Sequence, residues 1–214
     1  MSRIKICGLR RPEDIAMVNK YLPDFAGFII NFPKSHRNLS PEQVRALTCK
    51  LDRERITAVG VFVDEPVENV AKMLNDGTLD MAQLHGHETE DYIAALRNLT
   101  EKKIIKAFAV RDAESLKRAA ACGADYILLD QGQGAGVTFD WSLLGSDKAK
   151  EAFGGAGLPK SEWFLAGGLS EDNIAAAVEK FRPYAVDLSS AVETDKFKDE
   201  EKVRKVIEIV RRAK

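Results

Sequence analysis

At 214 residues, 45% hydrophobic and 30% charged, the chain can bury one sizeable core and still keep a solvated surface. Its 32 basic residues nearly balance 33 acidic ones, for a formal net charge of −1. That excludes the basic excess of a typical nucleic-acid binder but leaves room for a local anion pocket. The three cysteines are odd in number and widely spaced, which fits reduced thiols in a cytoplasm better than a disulfide scaffold or a zinc site.

The N-terminal Met1-Ser2-Arg3-Ile4-Lys5-Ile6 runs straight into a strand-like segment, without the ordered regions of a signal peptide. No apolar run approaches the roughly 18 to 20 residues that cross a bilayer, so no membrane is expected and the expected location is cytoplasmic. Eight strand-like runs follow one another: Arg3–Cys7, Phe25–Ile30, Ile56–Val63, Met81–Leu84, Ile104–Ala109, Tyr126–Asp130, Trp163–Ala166 and Ala185–Leu188. Several are rich in Val and Ile, as strands covered on both faces should be.

Helical stretches separate the runs. Pro12, Pro41 and Pro66 each stand at a plausible first helical position with acids nearby. Ser170 reads as the cap of the seventh helix. Val203, Val206, Ile207 and Val210 share one face of a last helix expected over Lys198–Arg212. This alternation predicts an α/β fold, a (β/α)₈ barrel forming a single domain over 1–214. An open doubly wound sheet would use the same alternation, but no GxGxxG opens a first helix.

Barrel active sites lie at the C-terminal ends of the strands, and alternate strand residues share a face. If Ile4 and Ile6 face the helices, Lys5 and Cys7 face the interior. The same parity turns Tyr126, Leu128 and Asp130 inward and sets Met81, Gln83 and His85 on one side. Cys7 is then either a small buried hydrophobe or, just before Gly8, a base favoured by a nearby cation. Lys5, roughly 6.6 Å away along an ideal strand, could supply that cation or neutralise Asp187. Cys49 and Cys122 read as packing residues.

Asp130 either caps the glycine-rich loop Gly132–Gly136 or acts as a general acid of raised pKa. Gly167-Gly168 before a helix start, with Ser189-Ser190 after the next strand, match the place where such barrels bind phosphate through backbone N–H groups. In the basic loop after strand 2, Arg37 could hold a carboxylate with two parallel hydrogen bonds. His85 and His87 converge with no suitably spaced acid ligand, so no metal site is expected.

Taken in order, several segments resemble phosphoribosylanthranilate isomerase along nearly the whole chain. They are Lys5–Gly8, Phe32–Arg37, Gly60–Val63, Gln83–Gly86, Leu128–Asp130, Gly136–Trp141, Ala166–Gly168 and Asp187–Glu193. The resemblance implies an Amadori rearrangement of the small phosphosugar N-(5-phosphoribosyl)anthranilate to its 1-deoxyribulose product. It implies Asp130 as general acid, Cys7 as general base and Arg37 for the anthranilate carboxylate. Gly136, Gly167, Gly168, Ser189 and Ser190 would hold the phosphate, with Gln83 and His85 shaping the pocket. No metal or organic cofactor is implied. Ala191 stands where many members have Gly, which could narrow the phosphate site or exclude a left-handed backbone. A dual-substrate isomerase would pair two carboxylates and so place Asp where Cys7 stands. A non-catalytic phosphosugar-binding barrel need not keep both Cys7 and Asp130. With no exposed apolar stripe in the sequence, a monomer is expected.

Overall fold

A computed structural model describes residues 2–130, 143–153 and 163–213. Eight parallel strands form the frame: β1 (Arg3–Cys7), β2 (Phe25–Ile30), β3 (Thr57–Phe62), β4 (Met81–Leu84), β5 (Lys103–Ala109), β6 (Tyr126–Asp130), β7 (Trp163–Leu165) and β8 (Ala185–Leu188). Each pairs with its sequence neighbour, and β1 pairs with both β2 and β8, which closes the barrel. Between them run α1 (Pro12–Tyr21), α2 (Pro41–Thr48), α3 (Val67–Asn75), α4 (Glu90–Leu99), α5 (Ala113–Ala120), α6 (Asp147–Ala152) and α7 (Ile174–Phe181), with α8 (Glu200–Arg212) last. The eight expected runs are all strands, with ends shifted by a residue or so.

Two cores divide the strand residues by parity. Ile4, Ile6, Phe28, Ala82, Ile127, Leu129 and Val186 face outward against the helices. Phe25, Val59, Met81, Ile105, Leu128 and Phe164 fill the barrel interior with Tyr126 packed beside them. Lys5, Cys7 and Gln83 share the inward parity, and all three are buried.

The N-terminal ends of the strands carry a repeated device. Asp24, Asp80 and Asp125 each stand just before an even-numbered strand. Their carboxylates accept the backbone N–H of Ile4, Ala58 and Ile104 at 2.9, 2.8 and 3.0 Å. Each therefore pins the start of the neighbouring odd-numbered strand. Asp125 also receives Arg97 at 3.0 Å and Lys103 at 2.7 Å. Asp125→Ala is expected to lower the unfolding free energy by about 1.5–3 kcal/mol, measured as a reduced urea midpoint at unchanged m-value.

Four local expectations are corrected. The seventh helix is not capped by Ser170: it starts at Ile174 after a turn, and the Asn173 carboxamide receives the Ser170 N–H at 2.8 Å. Pro66 is the N-cap of α3, one place before the helix proper. The last helix begins at Glu200, because Phe197–Lys198 is drawn into an antiparallel hairpin with Glu193–Thr194. Cys49 is exposed past the end of α2, outside the core, with its thiol donating to the Ala46 carbonyl at 3.2 Å, whereas Cys122 does pack against the core.

Candidate active site

The strands' C-terminal ends surround a cavity of about 680 Å³. Its wall includes Cys7, Arg37, Gln83, His85, Asp130, Gly167, Gly168, Ser189 and Ser190. Nine of the ten residues singled out from sequence therefore meet at one mouth. The tenth, Gly136, lies outside the described residues. Apolar Ile29, Phe32, Val61 and Val63 complete one side, a surface suited to an aromatic ring.

Parallel register explains the floor. Lys5 lies opposite Asp187 on β8, and Cys7 lies opposite Gly27 on β2. Lys5 Nζ donates to Asp187 Oδ2 at 2.9 Å, the Lys5 side chain fully buried and that of Asp187 nearly so at the cavity floor. A Cβ on Gly27 would come within 2.8 Å of Cys7 Sγ and 3.1 Å of Lys5 Cε, so glycine leaves the space that thiol and ammonium occupy. Burial pushes the Lys5 ammonium pKa down, but Asp187 and Cys7 prevail and hold it above its usual range. For Cys7, burial pushes the thiol up and Lys5 pulls only partly against it, so the resting group is a thiol beside a fixed cation. Lys5 thus neutralises Asp187 and stands beside the sulfur, but it does not make Cys7 a thiolate at rest.

On the far side, Gln83 and His85 interact at 2.9 Å between Nε2 and Nδ1. His85 Nε2 stands 3.9 Å from Asp130 Oδ2, beyond hydrogen-bond length. Desolvation outweighs the attraction of Asp130 and keeps the imidazole below its ordinary pKa. A neutral ring accepting from the Gln83 amide carries its proton on Nε2, toward Asp130. His87 does not join it. Its ring is exposed and pairs with Asp64 at 3.0 Å. No group of three His, Cys, Asp or Glu among the described residues could hold a metal ion.

Gly167 and Gly168 both adopt left-handed φ, 79° and 66°, which an L side chain would resist. The Gly168 carbonyl receives Asn173 Nδ2 at 2.8 Å, tying this turn to α7. Ser189 Oγ donates to the Cys7 carbonyl at 3.1 Å, joining the ends of β8 and β1. Ala191 sits in a 3₁₀ turn, Ser190–Val192, outside the left-handed region. The feared backbone conflict is therefore absent, though Ala191 is part of the cavity wall.

Sequence reasoning missed the anchoring of Arg37. Its Nε and Nη2 donate to Glu193 Oε1 and Oε2 at 2.7 and 2.6 Å. Lys198 Nζ donates to the same carboxylate at 2.7 Å and to the Ser189 carbonyl at 2.9 Å. Burial would raise the Glu193 carboxyl, but Arg37 and Lys198 overcome it and hold the pKa at about 2. A depressed folded-state pKa gives stability that is full above the unfolded value, near 4.5, and lost as pH falls toward 2. Acid unfolding in that window is expected to be shallower in Glu193→Gln, as followed by circular dichroism.

The fold and this mouth define a (β/α)₈ barrel with a thiol and a carboxylate facing one cavity. A family model described as N-(5'phosphoribosyl)anthranilate (PRA) isomerase matches residues 4–209, and the chain belongs to that family. It is 45% identical to the N-(5'-phosphoribosyl)anthranilate isomerase of Acetivibrio thermocellus, covering 100% of this chain and 97% of the relative. The enzyme of Endomicrobium trichonymphae is 41% identical, with 99% of each chain covered. Among solved structures, a monomeric form of the dimeric Thermotoga maritima isomerase aligns with TM-score 0.81 at 31% identity over 99% of both chains. A phosphoribosylanthranilate isomerase in complex with reduced 1-(o-carboxyphenylamino)-1-deoxyribulose 5-phosphate gives 0.80 at 31% identity, again over 99% of both.

Proposed function

We propose that this chain isomerises N-(5-phosphoribosyl)anthranilate to 1-(2-carboxyphenylamino)-1-deoxyribulose 5-phosphate, a step of tryptophan biosynthesis, with Cys7 and Asp130 as its base and acid. The observation that carries the reading is one cavity lined by Cys7, Asp130, Arg37 and both glycine and serine loops in a chain that matches the family over residues 4–209.

The chemistry follows from that placement. Asp130 protonates the ribose ring oxygen, and the aniline nitrogen's lone pair opens the ring to a protonated Schiff base. Cys7 then removes the proton from C2, giving an enolamine that ketonises. The ring oxygen and C1 each gain a proton, while C2 and its hydroxyl each lose one; C1 is reduced as C2 is oxidised, so the sequence balances within the substrate and needs no external oxidant or reductant. Lys5 stabilises the thiolate that must form. Arg37 receives the anthranilate carboxylate, and the backbone at Gly167, Gly168, Ser189 and Ser190 receives the phosphate. Gln83 and His85 shape the wall beside Asp130.

The whole chain, 1–214, acts as one catalytic domain. Its place is the cytoplasm: no helix among the described residues is long and apolar enough to cross a membrane. A monomer suffices, since the exposed large hydrophobics among the described residues are only Leu99 and Phe197.

The test is turnover of substrate generated in situ from anthranilate and phosphoribosyl pyrophosphate. Rapid decay of the adduct's fluorescence with wild type is expected. Persistence of the signal in the presence of folded protein would overturn the assignment.

A further inference from the structure

We infer that Glu193, clamped by Lys198, is a positioning residue that presets the Arg37 guanidinium for the substrate's carboxylate. The inference rests on the reading of Arg37 as the carboxylate receptor and goes beyond it.

The local structure begins with a two-residue turn. Asp195 and Lys196 both take left-handed φ, 51° and 66°, the geometry of a tight hairpin. That turn sets Glu193 directly opposite Lys198 across the antiparallel pair. Two oppositely charged side chains therefore meet at the cavity rim, where the Glu193 and Lys198 side chains are 7% and 1% exposed.

Arg37 is held from two directions. Its stem lies on Gly8, where an added Cβ would come within 2.3 Å of Arg37 Cδ. Its Nε–Nη2 edge is taken by both Glu193 oxygens. A planar fork bound along one edge has its plane fixed, and Nη1 makes no hydrogen bond to the described residues. The edge carrying Nη1 is thus the one left for an incoming carboxylate, and the arginine's rotamer freedom is already lost before substrate arrives. Lys198 keeps the cluster of Arg37, Glu193 and itself at net +1, so Glu193 does not repel the anion it helps to receive. Through the Ser189 carbonyl, the same ammonium holds the strand end that leads to the phosphate loop.

The experiment measures Kd by calorimetry for two ligands: reduced 1-(o-carboxyphenylamino)-1-deoxyribulose 5-phosphate and its phenylamino counterpart without the carboxylate. Wild type, Glu193→Gln, Glu193→Asp, Arg37→Ala and the Glu193→Gln/Arg37→Ala pair are compared, each checked for cooperative melting. Glu193→Gln is expected to weaken the carboxylated ligand roughly tenfold or more and to shrink the preference between the two ligands. In turnover, KM should rise much more than kcat falls. Glu193→Asp, which keeps the charge on a shorter arm, should fall between. Adding Glu193→Gln to Arg37→Ala should change nothing further. If Arg37→Ala loses the preference while Glu193→Gln and Glu193→Asp keep it, the positioning role is overturned and the Arg37 reading stands. If Arg37→Ala itself keeps the preference, the reading of Arg37 falls and the inference falls with it.

Discussion

Cys7→Ala and Asp130→Asn are each expected to lower kcat by a factor of roughly 10² to 10⁴, the usual share of a general base or acid, with little change in melting temperature. The two groups serve successive steps of one sequence. Asp130 opens the ring, and without that opening C2 has no iminium beside it to acidify its proton. Cys7 then takes that proton. Losing either group stops the same conversion, so the double variant should be little slower than the worse single one, well short of the product of the two losses. Steady-state kinetics on all three variants checks this. Multiplying losses would mean that the two side chains act independently. Near-normal turnover in a folded single variant would remove that residue from the chemistry.

Lys5→Met is expected to cost about 3–5 kcal/mol of stability. Lys5 is fully buried, and its partner Asp187 has a side chain only 9% exposed. Removing the ammonium strands a carboxylate in the barrel, where an uncompensated charge is far costlier than a missing pair. Asp187 Oδ1 is already buried without a hydrogen-bond partner among the described residues, so Lys5 is the main compensation there for that carboxyl. The double variant Lys5→Met/Asp187→Asn removes both charges and should recover much of the loss. Activity should not return with it, because the thiolate of Cys7 would still lack its cation. Chemical denaturation followed by the turnover assay separates the two effects. A Lys5→Met protein as stable as wild type would show that the pair is not holding the floor together.

Much of this was legible in the sequence because strand parity is a local rule. The outward Ile4 and Ile6 force Lys5 and Cys7 inward, and Ile127 and Leu129 do the same for Asp130. The rims of strands also attract glycines where backbone must turn left-handed, which marked Gly167 and Gly168. The Arg37 anchor was not legible. Arg37 and Glu193 are 156 residues apart, and no periodicity links them. The hairpin that aligns Glu193 with Lys198 is too short to show an alternating pattern, so Lys198 read as the first residue of a helix. The seventh helix start shows the same limit. Ser170 carries a good capping side chain, but tertiary placement of the Gly167-Gly168 turn delays the helix by a turn, and Asn173 at the N-cap spends its side chain on Ser170 and Gly168 rather than on the helix.

The most direct measurement is a crystal structure of this chain with reduced 1-(o-carboxyphenylamino)-1-deoxyribulose 5-phosphate bound. The phosphate is expected on the backbone of Gly167–Gly168 and Ser189–Ser190, and the ligand carboxylate on the free edge of Arg37. The carbon equivalent to C2 should lie within reach of Cys7 Sγ, with Asp130 beside the former ring oxygen. A ligand seated with its phosphate elsewhere, or with Cys7 and Asp130 both out of reach of those atoms, would contradict the assignment.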